Sequence, residues 1–317
     1  MAELPRLVLA REHIQQGLTP KMLARRCSSG ALVRLRHGVC VDGEAWGSLQ
    51  PWDQYRLKVQ AAAETFAAPT VFAWHSAASV WGVPTIGHHH PVHALTFQND
   101  GGRSRAGVRR HYAAPAGVKV SRHGGLLVTG RVRTVLDLAA FTSFAEAIVP
   151  LDHVLRPDKA RNLPALSKEQ LLAEIEGNYT TAAARRITAA IEFADPLSAS
   201  AGESYGRALM HVAGFEPPAL QHEIRDGGGL IGYSDYYWDG ARAAGEFDGE
   251  EKYVKPEYLK GRTPSQAVVD EKYREDRIRA TGRTVVRWVW ADLMTPGRLE
   301  RKLATAGVPR RRARSAR

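Results

Sequence analysis

The sequence predicts a mixed α/β (α+β) chain of two or three domains, and three observations carry that prediction. Its 317 residues exceed what one core ordinarily organises, since hydrophobic cores stop growing near about 250–300 residues. Hydrophobic residues make up 44% of it, enough to bury real cores and too many for a disordered chain. Stretches with apolar residues at helical spacing also alternate with short strand-like runs bounded by Gly and Pro.

Charge narrows the partners. A formal net charge of +11 favours a polyanion, because each phosphate neutralised by Lys or Arg releases counterions. An anionic membrane is the competing partner, but the chain has no apolar run of about 18 residues and no Lys/Arg-rich amphipathic anchor. DNA is therefore the expected partner. The start, Met-Ala-Glu-Leu-Pro-Arg, lacks the features of a secretory signal, which points to the cytoplasm. Cys27 and Cys40 fall in segments read as helix and strand, outside any zinc spacing, and are expected to be core thiols.

The first element is a helix over 4–16, with Leu4, Leu7, Val8 and Ile14 at helical spacing and Gly17 as its stop. Thr19-Pro20 opens a short helix through Arg26, and Ser28-Ser29-Gly30 marks a turn before another. Residues 33–41 alternate around Gly38, as a small hairpin would. Short helices ending in a basic hairpin describe a winged helix-turn-helix, in which Arg25, Arg26, Arg34 and Arg36 contact DNA. The competing reading is a small helical cap whose arginines are solvated surface.

From Trp52 to Leu155 the pattern predicts helices over 54–66 and 76–81 and strands over 92–97 and 125–129, a middle α/β module. The segments Ala73-Trp74-His75-Ser76-Ala77-Ala78-Ser79-Val80-Trp81-Gly82-Val83-Pro84 and 128–139 (Val-Thr-Gly-Arg-Val-Arg-Thr-Val-Leu-Asp-Leu-Ala), behind the basic hairpin, resemble the AbiEi-type antitoxins of abortive-infection systems. The resemblance covers roughly the first half, is of actinobacterial type, and rests mostly on packing residues. It implies an N-terminal winged helix, repression of the protein's own operon, and a cognate toxin or other defence-system protein as partner.

His88, His89, His90 and His93 invite a metal reading, but adjacent residues on an extended chain cannot all aim at one ion, and none is expected. Residues 157–166 read as a linker and 171–193 as helical.

The C-terminal half carries the acids that matter. Glu203 opens a helix over 203–212, Asp235 lies in a strand over 233–238, and Glu246 and Asp248 follow the turn Asp239-Gly240-Ala241. Strand residues two apart share a face, so Glu246 and Asp248 point one way, and a hairpin brings Asp235 beside them. Gathered carboxylates repel unless a cation holds them, and Mg²⁺ (or Mn²⁺) on Asp235 and Glu246 would suit phosphodiester hydrolysis. The competing reading is solvated or salt-bridged surface acids.

The segments 201–204, 214–221, 233–236, Gly245-Glu246-Phe247-Asp248-Gly249-Glu250-Glu251-Lys252-Tyr253, 271–276 and 285–288 resemble the Vsr-like branch of the PD-(D/E)xK nucleases, over about 100 residues. The order helix, strand, strand, helix, strand agrees. The resemblance implies a restriction-endonuclease-like mixed sheet flanked by helices, with Glu203, Asp235, Glu246, Asp248 and Gln221 at its site. It departs from the pattern where a lysine belongs two residues after the strand acid: Asp248 stands there, leaving Lys252 or Lys272 for that role. Residues 271–280 read as an exposed charged helix on which Lys272 and Arg274 meet DNA. Residues 285–290 read as a buried strand, and the basic tail from Arg310 as disordered.

These readings divide the chain into a winged-helix-like module (1–48), an AbiEi-like α/β module (49–160), a Vsr-like domain (165–308) and a basic tail (309–317). Two functions remain open: a DNA-binding antitoxin or defence protein with a metal-dependent nuclease-like domain, or a non-catalytic repressor.

Overall fold

The computed structural model describes residues 4–15, 17, 19–98, 104, 107–114, 117–249 and 263–311. Among these residues 12 strands form three sheets, accompanied by 13 helices. The chain divides into two compact units, Met1–Thr142 with Val154–Glu192, and Ser143–His153 with Phe193–Arg317.

The first unit opens with β1 (Val8–Leu9), α1 (Ala10–Gln15), α2 (Pro20–Ser28), β2 (Leu32–Arg36) and β3 (Val39–Asp42), the strands pairing antiparallel in the order β1-β3-β2. Helix α2 begins where Thr19-Pro20 predicts: Thr19 Oγ1 accepts from the Met22 amide at 3.3 Å, and proline in the first turn gives up no hydrogen bond. The hairpin turns at Gly38, whose φ of +73° few side chains tolerate.

Two expectations fail here. The helix predicted over 4–16 starts only at Ala10, because Val8 and Leu9 pair with Cys40 and Val39, and tertiary pairing overrides helical spacing. No helix follows Ser28-Ser29-Gly30: Gly30 is left-handed, and strand β2 begins two residues later.

After α3 (Gly43–Ser48), helix α4 (Pro51–Ala63) packs its Ala61 with Leu9 and Val39, tying the small sheet to the next stretch of the chain. Then come β4 (Val71–Phe72), α5 (Trp74–Trp81), β5 (Val92–Thr96), β6 (Val108–Tyr112), β7 (Val120–His123), β8 (Leu126–Thr129) and α6 (Arg131–Phe141). Their mixed sheet runs β6-β5-β4-β8-β7. The chain leaves for α7 (Phe144–Val154), nearly all of it in the second unit, and returns with α8 (Lys168–Ala173) and α9 (Thr181–Phe193). Residues 157–166 hold a closed turn in which Asp158 and Leu163 exchange backbone hydrogen bonds of 2.9 and 3.0 Å. The helix expected over 171–193 is two helices, parted around the left-handed Gly177.

The second unit adds α10 (Ala201–Val212), β9 (Ala219–Asp226), β10 (Gly229–Trp238), β11 (Ala243–Phe247), α11 (Pro264–Ala280), β12 (Thr284–Trp288), α12 (Trp290–Met294) and α13 (Arg298–Thr305). Its sheet runs β12-β11-β10-β9, antiparallel except for the parallel β11–β12 pair. Strand β9 was not expected, because Ala219-Leu220-Gln221-His222-Glu223-Ile224-Arg225-Asp226 has no sustained apolar alternation.

Apolar residues cover both faces of this sheet. Tyr236, Trp238, Phe247 and Trp288 pack with Met210 of α10, Leu293 of α12 and Leu303 of α13. Tyr237, Ala244, Val285 and Ile224 pack with Ile278 of α11 on the other face. The unit also closes over α7: Asp152 is fully buried, and the Arg207 Nη2 donates to both its oxygens at 3.0 and 2.9 Å. Burial pushes the Asp152 carboxyl up, against the pull of that guanidinium.

The basic tail begins anchored rather than free. The Arg311 amide donates to the Gly214 carbonyl at 2.8 Å, and the Arg310 guanidinium lies over the Phe215 ring at 4.5 Å. Residues 312–317 lie outside the described residues. Among the described residues no helix is long and apolar enough to cross a membrane.

Candidate functional site

The acids singled out in the C-terminal half sit at one end of the second unit's sheet. Ser234 pairs with His222 and Tyr236 with Leu220, which sets Asp235 beside Gln221. Tyr236 pairs with Gly245, and one step further along that register Asp235 faces Glu246. The hairpin thus brings Asp235 and Glu246 together, and Asp235 Oδ2 accepts from the Phe247 amide at 2.8 Å.

Two arginines hold Glu246. Its carboxylate, on a residue 5% exposed, lies 2.7 Å from Arg274 Nη2 of α11 and 2.9 Å from Arg287 Nη2 of β12. Arg287 also meets Asp248 at 3.1 Å, Glu275 at 2.8 Å, and Glu271. Burial alone would lower the pKa of Arg287, but Glu246, Glu271 and Asp248 outweigh it and the net shift is upward. Arg274 moves upward for the same reason, under Glu246 and Glu271.

Glu203 and Gln221 form a separate pair. The Glu203 carboxylate accepts from the Ala199 amide at 2.7 Å and the Ser200 hydroxyl at 2.8 Å, capping the helix it opens, and Gln221 Nε2 donates to it at 3.4 Å. Gln221 has a left-handed backbone (φ +49°), a conformation that costs a non-glycine residue about 1 kcal/mol. The alternation of β9 breaks there: Leu220 packs on the α10 side, whereas His222 stacks on Tyr237 and Ile224 packs with Ile278 on the α11 side.

These residues make a poor cradle for a divalent ion. The oxygens of Glu246 and Asp248 already face guanidinium groups, Glu203 is spent on its own helix start, and among the described residues no group of three His, Cys, Asp or Glu could hold a metal. Lys252 lies outside the described residues. Lys272 is exposed on α11, while Arg274, expected to face DNA, turns inward to Glu246 and Glu271. Sequence reasoning missed Arg287, taking its strand as plain core. A lone arginine in the run Thr-Val-Val-Arg-Trp was the available signal, since a half-buried cation needs anionic partners.

In the N-terminal module, Arg25 and Arg26 are exposed in the last turn of α2, and Arg34 is exposed on β2. Arg36 is half-buried, and burial lowers its pKa.

A second constellation, unforeseen as a group, lies in the middle of the first unit. Phe141 stacks on Trp74 (4.6 Å between ring centres), Trp74 on His111 (4.0 Å), His111 on His93 (5.1 Å), and His75 lies between His93 (5.3 Å) and His90 (3.7 Å). His93 Nδ1 is 2.8 Å from His111 Nε2. Burial, with the neighbouring histidines, pushes His75 down to about 3; burial, with His111 and Arg109, pushes His93 down to about 3 and, with Arg109, His111 to about 4. Of the four histidines in the sequence run, His90 and His93 join this column, while His88 and His89 stay in the loop before β5.

No protein-family model and no curated protein matches the chain. Among solved structures it is similar to the Rv2827c protein of Mycobacterium tuberculosis, with a TM-score of 0.36 and 18% identity over 70% of this chain and 84% of that one, a likeness too slight to carry an argument.

Proposed function

We propose that the protein is a DNA-binding regulator of the antitoxin or defence type, in which residues 1–48 act as a winged helix-turn-helix and the C-terminal unit is a Vsr-like, PD-(D/E)xK-type core used for binding rather than hydrolysis. The observation that carries the non-hydrolytic reading is the pair of arginines on Glu246, at 2.7 and 2.9 Å, where a nuclease would need an open carboxylate. Supporting the first module are two successive helices, a hairpin whose far strand pairs back to β1, and exposed Arg25, Arg26 and Arg34. The net charge of +11 agrees with a nucleic-acid partner. By its resemblance to AbiEi-type antitoxins, it acts on its own operon and meets a cognate toxin or defence protein in the cytoplasm.

The alignment of Gln221, Asp235 and Glu246 across adjacent strands favours a second reading, a Mg²⁺- or Mn²⁺-dependent DNA endonuclease assisted by Lys252 or Lys272. One set of assays separates the two. Duplex DNA from upstream of the protein's own gene should bind, and replacing Arg25, Arg26, Arg34 and Arg36 with Ala should flatten the salt dependence by about 1 slope unit per lost phosphate contact. Single- and double-stranded DNA with Mg²⁺ or Mn²⁺ should stay intact. Metal-dependent cleavage by the wild type that Glu246→Ala abolishes would replace the first reading with the second.

A further inference from the structure

Cys27 and Cys40 are the only two cysteines among 317 residues, and the fold sets them in contact. One comes from the last turns of α2 and the other from β3, 13 positions apart, yet their Sγ atoms lie 3.7 Å from each other and both are free thiols. Packing alone does not require sulfur at either place, since Leu23 and Leu32 supply the apolar bulk of this small core.

The two thiols differ in the ways a reactive pair needs. Cys27 is partly exposed and open to a small oxidant, whereas Cys40 is 6% exposed beneath it. Burial, then Cys27, raises the pKa of the Cys40 thiol; Arg34, paired with Cys40 across the hairpin, opposes this by favouring the thiolate. That guanidinium also disfavours a cation between the sulfurs, and no third metal-binding side chain groups with them among the described residues.

We propose that Cys27 and Cys40 are an oxidant-responsive dithiol that reacts with peroxides and small disulfides and closes to an intramolecular disulfide joining α2 to β3. With hydrogen peroxide, the Cys27 thiolate attacks one oxygen, the O–O bond breaks, and hydroxide leaves as water with the proton that Cys27 gave up. The Cys40 sulfur then attacks the sulfur of the resulting sulfenic acid, the S–O bond breaks, and a second water leaves with the Cys40 proton. Two thiols and one peroxide thus become one disulfide and two waters. With a small disulfide, Cys27 forms a mixed disulfide and Cys40 displaces the second thiol. Closure shortens the Sγ–Sγ separation from 3.7 Å to a bond of about 2.05 Å.

The test uses the full chain, reduced, desalted and exposed to hydrogen peroxide or oxidised glutathione. Expected are the loss of both thiols, a mass lower by about 2 Da, a monomeric band without reductant, a raised melting temperature, and full reversal by a thiol reductant. Cys27→Ser, at a partly exposed position that should fold normally, should never show the 2 Da loss. Cys40→Ser should stop at the sulfenic acid, about 16 Da heavier, or at the glutathione adduct. The proposal is overturned if both thiols survive oxidant that fully oxidises a dithiol peptide in the same tube. It is overturned equally if the wild type accumulates oxygen adducts or disulfide-linked dimers instead of the lighter monomer.

Discussion

Arg287 shows how much one residue can organise. Its guanidinium, on β12, faces Glu246 and Asp248 at the end of β11 and Glu271 and Glu275 on α11, so it joins β11, β12 and α11 electrostatically. Its side chain is 21% exposed and that of Glu246 only 7%, so solvent screens the pairs in part and least at the Glu246 carboxylate. Breaking a fully buried pair costs about 3–5 kcal/mol; allowing for the exposure here, Arg287→Ala should destabilise the unit by about 2 kcal/mol. Urea unfolding followed by tryptophan fluorescence measures it. Arg287→Lys should recover only part of the loss, because an ammonium cannot fork between carboxylates. A cost below about 0.5 kcal/mol for the alanine variant would mean the network contributes specificity but no stability.

Among the elements, the column from β5, β6 and α5 makes acid the weak side of the first unit. His75 and His93, held near 3 in the fold, have an ordinary pKa near 6.5, so the unfolded chain binds protons that the folded one refuses. A group whose folded pKa is depressed in this way supports the fold above its unfolded value, and that support is lost as pH falls from about 6.5 towards 3. By pH 5 each of the two has given up about 2 kcal/mol. The groups facing this column include the cation Arg109, whose charge adds to the cost of protonation. Melting curves between pH 7.5 and 4.5 should therefore show the first unit softening well before the second, and His93→Gln should shrink the difference. A flat profile over that range would place protonation of these rings outside the unfolding equilibrium.

The elements also show which parts of the fold could be read in advance. Helix α2, the hairpin at Gly38 and strand β10 follow from local signals: a Thr-Pro start, a glycine inside an alternating run, and alternation over 233–238; helix α10 begins at Ala201 behind a Ser200 cap, two residues before the expected start at Glu203. Strand β1 escaped notice because Val8 fits a helical pattern, and Val8 and Leu9 become a strand only through Cys40 and Val39, 32 and 30 residues away. Strand β9 escaped because its apolar residues do not alternate: the left-handed Gln221 puts Leu220 on the α10 side and Ile224 on the α11 side. The candidate site was legible in its acids, since the turn at Asp239-Gly240-Ala241 implies a hairpin that sets Asp235 beside Glu246. Its arginines were not, because α11 and β12 approach Glu246 from separate stretches of sequence.

At the scale of the molecule, the chain passes between its two units at residues 142/143, 153/154 and 192/193. The linker composition at 157–166 suggested a boundary there, yet 154–192 belongs with the first unit and 143–153 with the second. No single cut therefore separates the units. A fragment beginning at Phe193 would keep Arg207 and lose Asp152, the buried carboxylate to which the Arg207 Nη2 donates at 3.0 and 2.9 Å. Removing one partner of a buried pair costs about 3–5 kcal/mol, so such a fragment should melt more than about 10 °C below the corresponding transition of the full chain, or not fold. An unchanged transition, followed by calorimetry, would make α7 dispensable to the unit.

The pairing of Asp152 with Arg207 also sets a clock on synthesis. The two residues are 55 positions apart, and at about 5–20 residues per second a ribosome needs roughly 3–11 s to add the second after the first. During that interval α7 has been made without the unit that will bury it, while the segment that completes the first unit is still emerging behind it. The nascent chain must carry a helix most of whose residues will be buried, with an uncompensated acid among them, which makes those seconds the stretch of its life in which a chaperone has most to hold.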